Sequence, residues 1–440
     1  MILPINMGLS PHFLFNVFIL YSILFPLHSL HSLSSPLSSL RNMPPSTPLS
    51  AHLPPLIMGT ATFNHQFNPD PYALPTTDLI HRALAAGITA FDTSPYYGPA
   101  EHLLGHALAT PHVRSHHPRS SYTLLTKVGR IAGASFDYSP AWIRHSVRRS
   151  LARLHTPYLD LVYCHDVEFV SPAAVLAAIR ELRRLRDSPA NSVRYVGISG
   201  YPVDVLADLA ELVLRETGEP LDAVMSYANF TVQNERLRSS ALERLRGPKA
   251  RVDVVPNASP LGMGLLRGQG VPVGGQGDFH PAPQGLRESV ARAARWVEDV
   301  SAGKDRIEIV AIRFALESWA REGGVRPDSD YHQQEERLGV TVMGVSSVPE
   351  LEETLRVWNS ILDGVGGNPG ARDSDREWSL ARRQEILSLA QGIRDILGED
   401  WVDYAWASPS GEFVNSLPDS HYEELRNAQE WENAQAQAQA

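Results

Sequence analysis

Short apolar runs alternate with longer amphipathic stretches through the middle of the chain. The runs consist mainly of β-branched and aliphatic residues, and the stretches between them carry apolar residues at helical spacing. This alternation is typical of βαβ units, which build a parallel sheet. The eight predicted strands are Leu56–Gly59, Thr89–Asp92, Tyr122–Thr126, Leu159–Cys164, Val193–Ile198, Ala223–Ser226, Val252–Val255 and Val340–Met343.

Helices are predicted between these strands, and several begin with a capping signal. Ser139-Pro140 and Ser171-Pro172 each place a capping hydroxyl before a proline in the first helical turn. Eight strands that alternate with helices form a closed (β/α)8 barrel, in which closure removes the exposed sheet edges. We therefore predict an α/β fold, a single-domain (β/α)8 TIM barrel with disordered or extended termini. The predicted helices are Thr77–Ala86, Pro140–Leu154, Pro172–Arg186, Pro202–Leu214, Asn234–Leu245, Ile307–Ala320 and Pro349–Ser360.

An open, doubly wound sheet is the alternative arrangement of the same elements. Such a sheet usually binds a dinucleotide through a glycine-rich turn after its first strand, and no G-x-G-x-x-G follows Leu56–Gly59. A phosphate-binding G-x-x-x-x-G-K-[ST] loop is also missing, because Gly303-Lys304 is followed by Asp305 and does not come after a strand. The sequence therefore favours the closed barrel.

The first fifty residues differ in composition from the barrel region. Their only charged residue is Arg41, and Phe13–Leu30 is rich in apolar side chains, as in a signal peptide or a membrane anchor. A signal peptide carries positive charge before its apolar segment, and an anchor needs about 18 uninterrupted apolar residues. Asn16 and Pro26 interrupt this segment, and no positive charge precedes it. We predict that residues 1–50 form a disordered extension, without firm evidence for a membrane partner.

The rest of the chain divides into a barrel and a C-terminal extension. Residues 51–365 are predicted to form the barrel, with an insertion at Asn257–Arg306 that we expect to act as a lid or to line the substrate site. Residues 366–426 are predicted to pack on the barrel, covering one end with a helix at Asp373–Leu397. Residues 427–440 close in alternating alanine and glutamine, and we expect this low-complexity tail to be frayed or disordered.

Composition narrows the classes of partner. The formal net charge is −10, which disfavours non-specific binding to nucleic acid or to an anionic membrane. Cys164 is the only cysteine, so no intrachain disulfide can form and a reducing, cytoplasmic location is expected. Strand alternation turns this thiol away from His165, which favours a buried structural role over a nucleophile. The sequence leaves the oligomeric state open.

Four reactive side chains fall where predicted strands end. Asp92 closes the second strand, and Tyr97 lies five residues further on. Lys127 follows the third strand and His165 follows the fourth. In a (β/α)8 barrel the carboxyl ends of the strands form the active-site mouth, so these side chains are expected to converge. We interpret them as the candidate catalytic residues.

The four residue types suit the interconversion of an alcohol and a carbonyl. A free tyrosine has a pKa of about 10, and an adjacent Lys127 ammonium is expected to lower the pKa of Tyr97 so that it can exchange a proton near neutral pH. Asp92 is expected to keep the lysine charged, and His165 to orient the substrate oxygen. No carboxylate pair, G-x-S-x-G elbow or activated cysteine points to hydrolysis.

The segment FDTSPYYG at residues 91–98 resembles the signature of the aldo-keto reductase superfamily. The spacing from Asp92 to Tyr97 matches that family, and further similarity lies in Val193–Ser199 and in ASPLGMGLL at residues 258–266. Within the superfamily, the chain is most similar to sugar dehydrogenases that act on D-arabinose or L-galactose. The resemblance covers Leu56–Ser360.

This resemblance implies an Asp-Tyr-Lys-His tetrad on a barrel that binds NAD(P)(H) across its mouth without a Rossmann domain. By the same resemblance, Ser199 holds the nicotinamide carboxamide, and Tyr227 takes the place of a glutamine with that role. Ser259 and Leu261 are expected to lie along the pyrophosphate.

Two positions depart from the family pattern. Gly200 replaces a common asparagine, and Ala258 stands where many members have a tyrosine that stacks on the nicotinamide. The stacking geometry is therefore an open question, with Tyr227 as a candidate substitute.

The last predicted strand and helix bear on cofactor preference. Ser346, Glu350 and Glu353 are candidate cofactor-binding residues in GVSSVPELEE, at residues 344–353. Glu350 falls where NADP-preferring members often carry an arginine for the 2′-phosphate, and a carboxylate repels a phosphate but suits a ribose hydroxyl. We predict NAD as the cofactor, with NADP as the alternative. A purely structural role for Glu350, as a negative charge in the first helical turn, also stays open.

The resemblance implies an oxidoreductase that oxidises the anomeric hydroxyl of a small-molecule sugar, such as D-arabinose, to the lactone, with Tyr97 as the base. A regulatory barrel that resembles a potassium-channel beta subunit is the alternative. His112, His116 and His117 raise a third hypothesis, a metal-dependent hydrolase. These histidines fall in a predicted polar loop rather than at strand ends, so no metal site is expected.

Overall fold

Ten strands and twelve α-helices make up the described part of the chain, residues 47–271, 277–324 and 337–439 of a computed structural model. In chain order the strands are β1 Leu56–Gly59, β2 Ala90–Asp92, β3 Thr123–Val128, β4 Arg130–Ala132, β5 Ser135–Phe136, β6 Leu159–His165, β7 Val193–Gly200, β8 Ala223–Tyr227, β9 Asn257–Ala258 and β10 Thr341–Gly344. The helices are α1 Thr76–Ala85, α2 Ala100–Leu108, α3 Pro111–His116, α4 Pro140–Arg153, α5 Pro172–Arg186, α6 Val203–Thr217, α7 Leu242–Arg246, α8 Gln284–Val300, α9 Ile307–Glu322, α10 Val348–Val365, α11 Asp373–Trp401 and α12 Asp419–Gln439.

Eight of the strands close into a parallel barrel in the order β1-β2-β3-β6-β7-β8-β9-β10, and β10 pairs with β1. The predicted (β/α)8 barrel is therefore confirmed, and the open sheet is excluded. β4 and β5 form a separate antiparallel hairpin directly after β3.

One predicted strand is displaced along the chain. The expected strand Val252–Val255 makes only an isolated bridge, between Val254 and Ala223, and the regular pairing begins at β9. Pro256, between the two, has no amide hydrogen to give to a ladder. The pairing that holds β9 in the barrel therefore lies on the carboxyl side of this proline.

Strand alternation decides which side chains reach the barrel interior. Leu125 and Tyr163 belong to the hydrophobic cluster inside the barrel, whereas Cys164 belongs to the cluster between strands and helices. Lys127 and His165 each follow an interior residue by two positions, so they continue the inward-facing rows to the carboxyl ends of β3 and β6. Cys164 has the predicted orientation, away from His165.

A second hydrophobic core lies outside the barrel, between α8, α9 and α11. α8 occupies part of the insertion that the sequence suggested to be a lid, and its buried face includes Leu286, Val290 and Val297. α11 packs against α8, α9 and α10 rather than over one end of the barrel, which differs from the expectation for this helix. Its apolar positions Ile386 and Ile393 are buried in this second core.

The chain then returns to the barrel mouth in a segment that we call the C-terminal arm, residues 402–418. Asn415 exchanges two hydrogen bonds with the backbone of Phe136 in β5, and Ser416 donates its amide to the carbonyl of Ala134. α12 follows the arm and packs on α4.

The expected frayed tail is helical. α12 extends to Gln439, because alanine and glutamine are strong helix formers and because the part of the helix up to Glu432 is anchored on α4. Glu424 pairs with Arg149 at 2.7 Å, and Glu432 pairs with Arg144 and Arg148 at 3.3 and 3.2 Å.

The described chain begins inside the predicted N-terminal extension. Leu49 is buried in the interior cluster, and the Tyr195 hydroxyl donates a hydrogen bond to the carbonyl of Thr47 at 2.8 Å. Residues 47–50 are therefore ordered against the barrel, whereas residues 1–46, with the proposed signal or anchor, lie outside the described residues. Within the described ranges, no helix combines the length and apolar character needed to span a membrane.

Candidate active site

The carboxyl ends of the barrel strands surround a cavity of about 570 Å³. All four candidate catalytic residues, Asp92, Tyr97, Lys127 and His165, line it. Glu353 does not line this cavity and instead pairs with Arg306 at 2.8 Å. The structure therefore brings together all the candidate cofactor-binding residues except Glu353, namely Ser199, Tyr227, Ser259, Leu261, Ser346 and Glu350.

A buried ion pair forms the floor of the site. The Lys127 Nζ donates to Asp92 Oδ1 at 2.5 Å and to the carbonyl of Thr93 at 2.9 Å, and the lysine side chain is only 1% exposed. Burial works to lower the pKa of Lys127, but the charge of Asp92, together with Tyr97 and the hydrogen bond to Asp92, raises it above its usual range. The predicted role of Asp92, which is to keep the lysine charged, agrees with this balance.

The phenol of Tyr97 lies beside this ammonium. The Lys127 Nζ is 4.8 Å from the centroid of the Tyr97 ring. Burial raises the pKa of Tyr97 to about 12, and the lowering effect of Lys127 is smaller than the combined effect of burial and the nearby carboxylates. The expectation of a net acidified phenol is therefore wrong: the ammonium acts in the predicted direction, but desolvation of the phenolate outweighs it.

His165 presents a neutral imidazole to the cavity. Burial, with the positive charges of Lys127 and Arg130, lowers the pKa of His165 well below its usual value. The Ser94 Oγ accepts a hydrogen bond from the Tyr96 amide at 3.1 Å, so its own proton can be donated to the His165 Nδ1 at 3.2 Å. The tautomer in which Ser94 donates to Nδ1 places the ring proton on Nε2.

A second ion pair lines the cavity, and sequence reasoning missed it. Arg130 Nη1 donates to Asp166 Oδ2, and both residues face the cavity beside Tyr96. Their positions held a signal, since Asp166 directly follows His165 and Arg130 opens the hairpin after β3. Arg130 does not lie at the end of a predicted strand, and the short hairpin that carries it has no periodic pattern that would predict it.

The C-terminal arm supplies one wall of the cavity through Trp406, Ala407 and Ser408. The Trp406 ring stacks on Tyr201, with centroids 4.4 Å apart and planes inclined by 10°, and meets His280 edge-on at 5.6 Å. His280 belongs to the 257–306 insertion, and Phe279 and Pro281 beside it line the cavity. The insertion thus contributes to the lining, as predicted, whereas no pattern in the sequence linked the arm to the mouth.

The missing asparagine side chain at Gly200 has a physical explanation. A Cβ atom added at Gly200 would overlap Glu168 Oε2. The Glu168 carboxyl is held in place because its Oε1 accepts hydrogen bonds from the Tyr201 amide and the Ser408 hydroxyl, both at 3.0 Å. Glu168 therefore occupies the space that a side chain at position 200 would need.

The residues along the rim fit a nicotinamide dinucleotide. Hydroxyl groups come from Ser199, Ser259 and Ser346, and the last of these precedes the amino terminus of α10, where the helix dipole favours phosphate. Tyr227 is the register partner of Ala258 in the neighbouring strand, so its ring starts beside the position of the missing tyrosine.

Glu350 is paired in this rim. Its Oε1 accepts from Arg267 Nη2 at 2.6 Å, and its Oε2 accepts from the amide and hydroxyl of Ser346 at 2.8 and 3.0 Å. Both oxygens are thus engaged by neighbouring donors. No pattern in the sequence indicated that Arg267, which also lines the cavity, would be the partner.

The histidines considered for a metal site lie away from the cavity lining. His112 and His116 are on α3, a short outer helix where a loop was expected, and His117 follows it. No cluster of three or more metal-ligating side chains occurs among residues 47–271, 277–324 and 337–439.

The sequences of known proteins also identify the family to which this chain belongs. A sequence model of the aldo/keto reductase family matches residues 55–364. The chain is 40% identical over 307 residues to D-arabinose 1-dehydrogenase of Saccharomyces cerevisiae, a match that covers 69% of this chain and 83% of that protein. It is 33% identical over 289 residues to L-galactose dehydrogenase of Arabidopsis thaliana, covering 65% of this chain and 83% of that protein.

Among solved structures, the glycerol dehydrogenase of Gluconobacter oxydans is similar in fold. The TM-score is 0.51 at 20% identity, and the match covers 81% of this chain and 94% of that one. At this level of identity the likeness concerns the fold alone.

Proposed function

The chain belongs to the aldo/keto reductase family and is an NAD(P)-dependent oxidoreductase, and from this premise we propose that it oxidises the anomeric hydroxyl of an aldose to the aldonolactone. The observation that carries the proposal is the meeting of the Tyr97 phenol, the Lys127–Asp92 pair and the neutral His165 in one cavity. The similarity to two sugar dehydrogenases supports an aldose such as D-arabinose as the substrate.

In this proposal the protein removes one proton from the substrate hydroxyl. His165 donates a hydrogen bond from Nε2 to the anomeric oxygen and orients it, and the Tyr97 oxygen takes the hydroxyl proton as the carbonyl of the lactone forms. Lys127, kept charged by Asp92, stabilises the phenolate that must exist before this transfer. A nicotinamide dinucleotide held along the rim would supply the acceptor for the hydride that leaves the anomeric carbon. In the reverse direction, the Tyr97 phenol donates the same proton to a carbonyl oxygen.

The rim residues have proposed roles in holding the dinucleotide. Ser199 is proposed to bind the carboxamide, and Ser259 and Leu261 to lie along the pyrophosphate. Tyr227 is proposed to supply the ring that Ala258 lacks, because the two residues are paired in register.

We propose NAD as the preferred cofactor. Arg267 is the cation in the rim that a 2′-phosphate would seek, but Glu350 already engages it at 2.6 Å. A phosphate would have to displace this carboxylate or lie beside it, whereas a ribose hydroxyl can donate to it.

A substrate panel tests the function. The purified protein is given D-arabinose, L-galactose, L-fucose and other pentoses and hexoses with NAD or NADP, and NAD(P)H absorbance and lactone formation are followed. We expect lactone from at least one aldose, with a higher kcat/KM for NAD than for NADP. A clear preference for NADP would overturn the cofactor choice alone. Tight cofactor binding without turnover of any aldose would contradict the proposed reaction and favour the regulatory barrel.

A further inference from the structure

Arg130 and Asp166 form a polar pair beside the proposed reaction centre, and the proton transfer described above does not use them. Asp166 Oδ2 lies 3.6 Å from His165 Nε2, the nitrogen proposed to hold the reacting oxygen. The pair therefore lies next to the proposed position of the reacting oxygen. Of the hydroxyls of an aldose, the one on the carbon bonded to the reacting carbon is the nearest to this position.

The guanidinium of Arg130 is held in place, but not all of its N–H donors are used. Its carbon lies 3.8 Å from the centroid of the Tyr96 ring, and its Nε donates to the carbonyl of Ala132 at 3.4 Å. Nη1 binds Asp166, and no residue of the described chain accepts a hydrogen bond from Nη2. Stacking on Tyr96 fixes the plane of the Arg130 guanidinium, so its remaining N–H donors point in fixed directions.

Asp166 adopts an unusual backbone conformation. Its φ of 56° and ψ of 61° lie in the left-handed region, which residues other than glycine rarely adopt. The turn ends β6 and keeps the carboxylate at the mouth, where Oδ2 is engaged by Arg130. Within the described residues, Oδ1 accepts no hydrogen bond, although the side chain is only 2% exposed.

The charges around Arg130 and Asp166 are balanced, which favours a neutral ligand at this part of the cavity. Arg130 and Asp166 cancel each other, as do Lys127 and Asp92. Burial and the charge of Asp166 raise the pKa of Glu168 to about 8, so this neighbouring carboxyl is mainly protonated at neutral pH. A carboxylate or phosphate ligand would find no uncompensated cation here, whereas a hydroxyl finds both a donor and an acceptor.

We propose that Arg130 and Asp166 are specificity-determining residues that bind the hydroxyl on the carbon next to the anomeric carbon of the sugar. Asp166 accepts the proton of this 2-hydroxyl, and Arg130 donates to its oxygen. The assignment rests on the proposed aldose oxidation, because that reaction fixes the anomeric oxygen at His165.

The test measures coupling between the pair and one hydroxyl group. The aldose with the highest kcat/KM in the panel is compared with its 2-deoxy analogue, which for D-arabinose is 2-deoxy-D-ribose. In the wild type we expect the analogue to lose about 10- to 100-fold in kcat/KM, because the buried pair is left without its partner. In Asp166→Asn and Arg130→Lys the parent sugar loses a similar factor, mostly in KM, and the analogue loses little more.

Controls separate this role from a structural one. NAD binding by fluorescence titration shows whether each variant keeps its site, since removal of one member of a buried pair can destabilise the fold. Arg215→Met removes a charge from an exposed arginine, 65% exposed, and should leave both sugars unaffected. An undiminished deoxy penalty in both folded pair variants would overturn the proposal.

A binding measurement keeps the two proposals distinguishable. Sugar and deoxy sugar are titrated against the NAD-loaded protein, and the shift in melting temperature is followed. If no aldose is oxidised but the preference for the 2-hydroxyl depends on Asp166, the subsite stands and the proposed reaction fails. If aldoses are oxidised and no such dependence is found in either assay, the reaction stands and the subsite is refuted. If no aldose is oxidised and no preference for the 2-hydroxyl depends on Asp166, both the proposed reaction and the subsite are refuted.

Discussion

Burial and charge act in opposite directions on the phenol of Tyr97. The surrounding protein excludes water from the phenol, which must become an anion during oxidation, and this burial raises its pKa. The positive charge of Lys127 favours the anion and lowers the pKa. With a pKa of about 12 the resting residue is a phenol, which suits proton donation to a carbonyl. Oxidation needs the rarer phenolate, so its rate should rise with pH across the neutral and alkaline range.

Tyr97→Phe removes the proton carrier and leaves the ring. We expect kcat for sugar oxidation to fall about 10²- to 10⁴-fold, with NAD affinity nearly unchanged, because the ring still packs in the site. Steady-state kinetics from pH 6 to 10 and a fluorescence titration with NAD check this. In the wild type, log kcat for oxidation should increase with pH, and the increase should vanish in the variant. Comparable turnover in the variant would exclude the mechanism.

The sequence located the candidate catalytic residues because a barrel gathers the ends of its strands. The positions of Asp92, Lys127 and His165 could be predicted from the ends of the strands and from the alternation of side chains along each strand. The net pKa of Tyr97 could not be obtained in this way, since it depends on how much water the folded chain excludes. Arg130 was missed for a related reason, because its position is set by the short hairpin from Arg130 to Phe136, which carries little periodic pattern.

Elements with long periodic patterns were predictable, and those defined by tertiary contacts were not. α5 begins and ends at the predicted residues, and α9 begins at the predicted Ile307. β9 has only two residues, which is too short for any pattern, and the C-terminal arm has no regular structure of its own across most of its length. Its place at the mouth comes from ring stacking by Trp406 and from the hydrogen bonds of Asn415.

The arm is held at both ends, and this predicts how it responds to loss of α12. A chain that ends at Pro418 loses the pairs of Glu424 and Glu432 with α4, which are partly exposed and worth about 0.2–1 kcal/mol each. We expect amide hydrogen exchange in residues 402–418 to accelerate by about tenfold, and KM for the sugar to rise.

The double variant Glu424→Gln, Glu432→Gln is the matched control, because it removes the charges but keeps the helix. It should give an intermediate acceleration that changes little with salt. The wild type should exchange faster at high salt because its ion pairs are screened, so the two proteins should approach each other. Identical exchange of the arm in the truncated and full-length chains would mean that its contacts with β5 alone hold it.

For the molecule as a whole, buried carboxyls make the unfolding free energy depend on pH. Glu168 has a folded-state pKa of about 8, above its usual 4.5, mainly because of burial. Between these values the folded protein keeps a proton that the unfolded chain releases, so its contribution to stability is full below pH 4.5 and is lost as the pH rises towards 8.

Glu168→Gln should remove this dependence, since glutamine can accept the same hydrogen bonds from Tyr201 and Ser408 without ionising. We expect the variant to be more stable than the wild type at pH 8, by on the order of a few kcal/mol, and nearly equal to it at pH 5. Urea unfolding at the two pH values provides the measurement. A difference between variant and wild type that stays constant from pH 5 to 8 would show that the Glu168 carboxyl titrates normally.

The contact between Glu168 and position 200 also limits how this site can evolve. An asparagine in place of Gly200 would overlap the Glu168 carboxyl, so Glu168 would have to move away or be replaced by a shorter residue. Shortening residue 168 alone removes the acceptor for Tyr201 and Ser408 and loosens the wall that the arm provides. Each single step is therefore disfavoured, and the two positions are expected to be inherited as a linked pair.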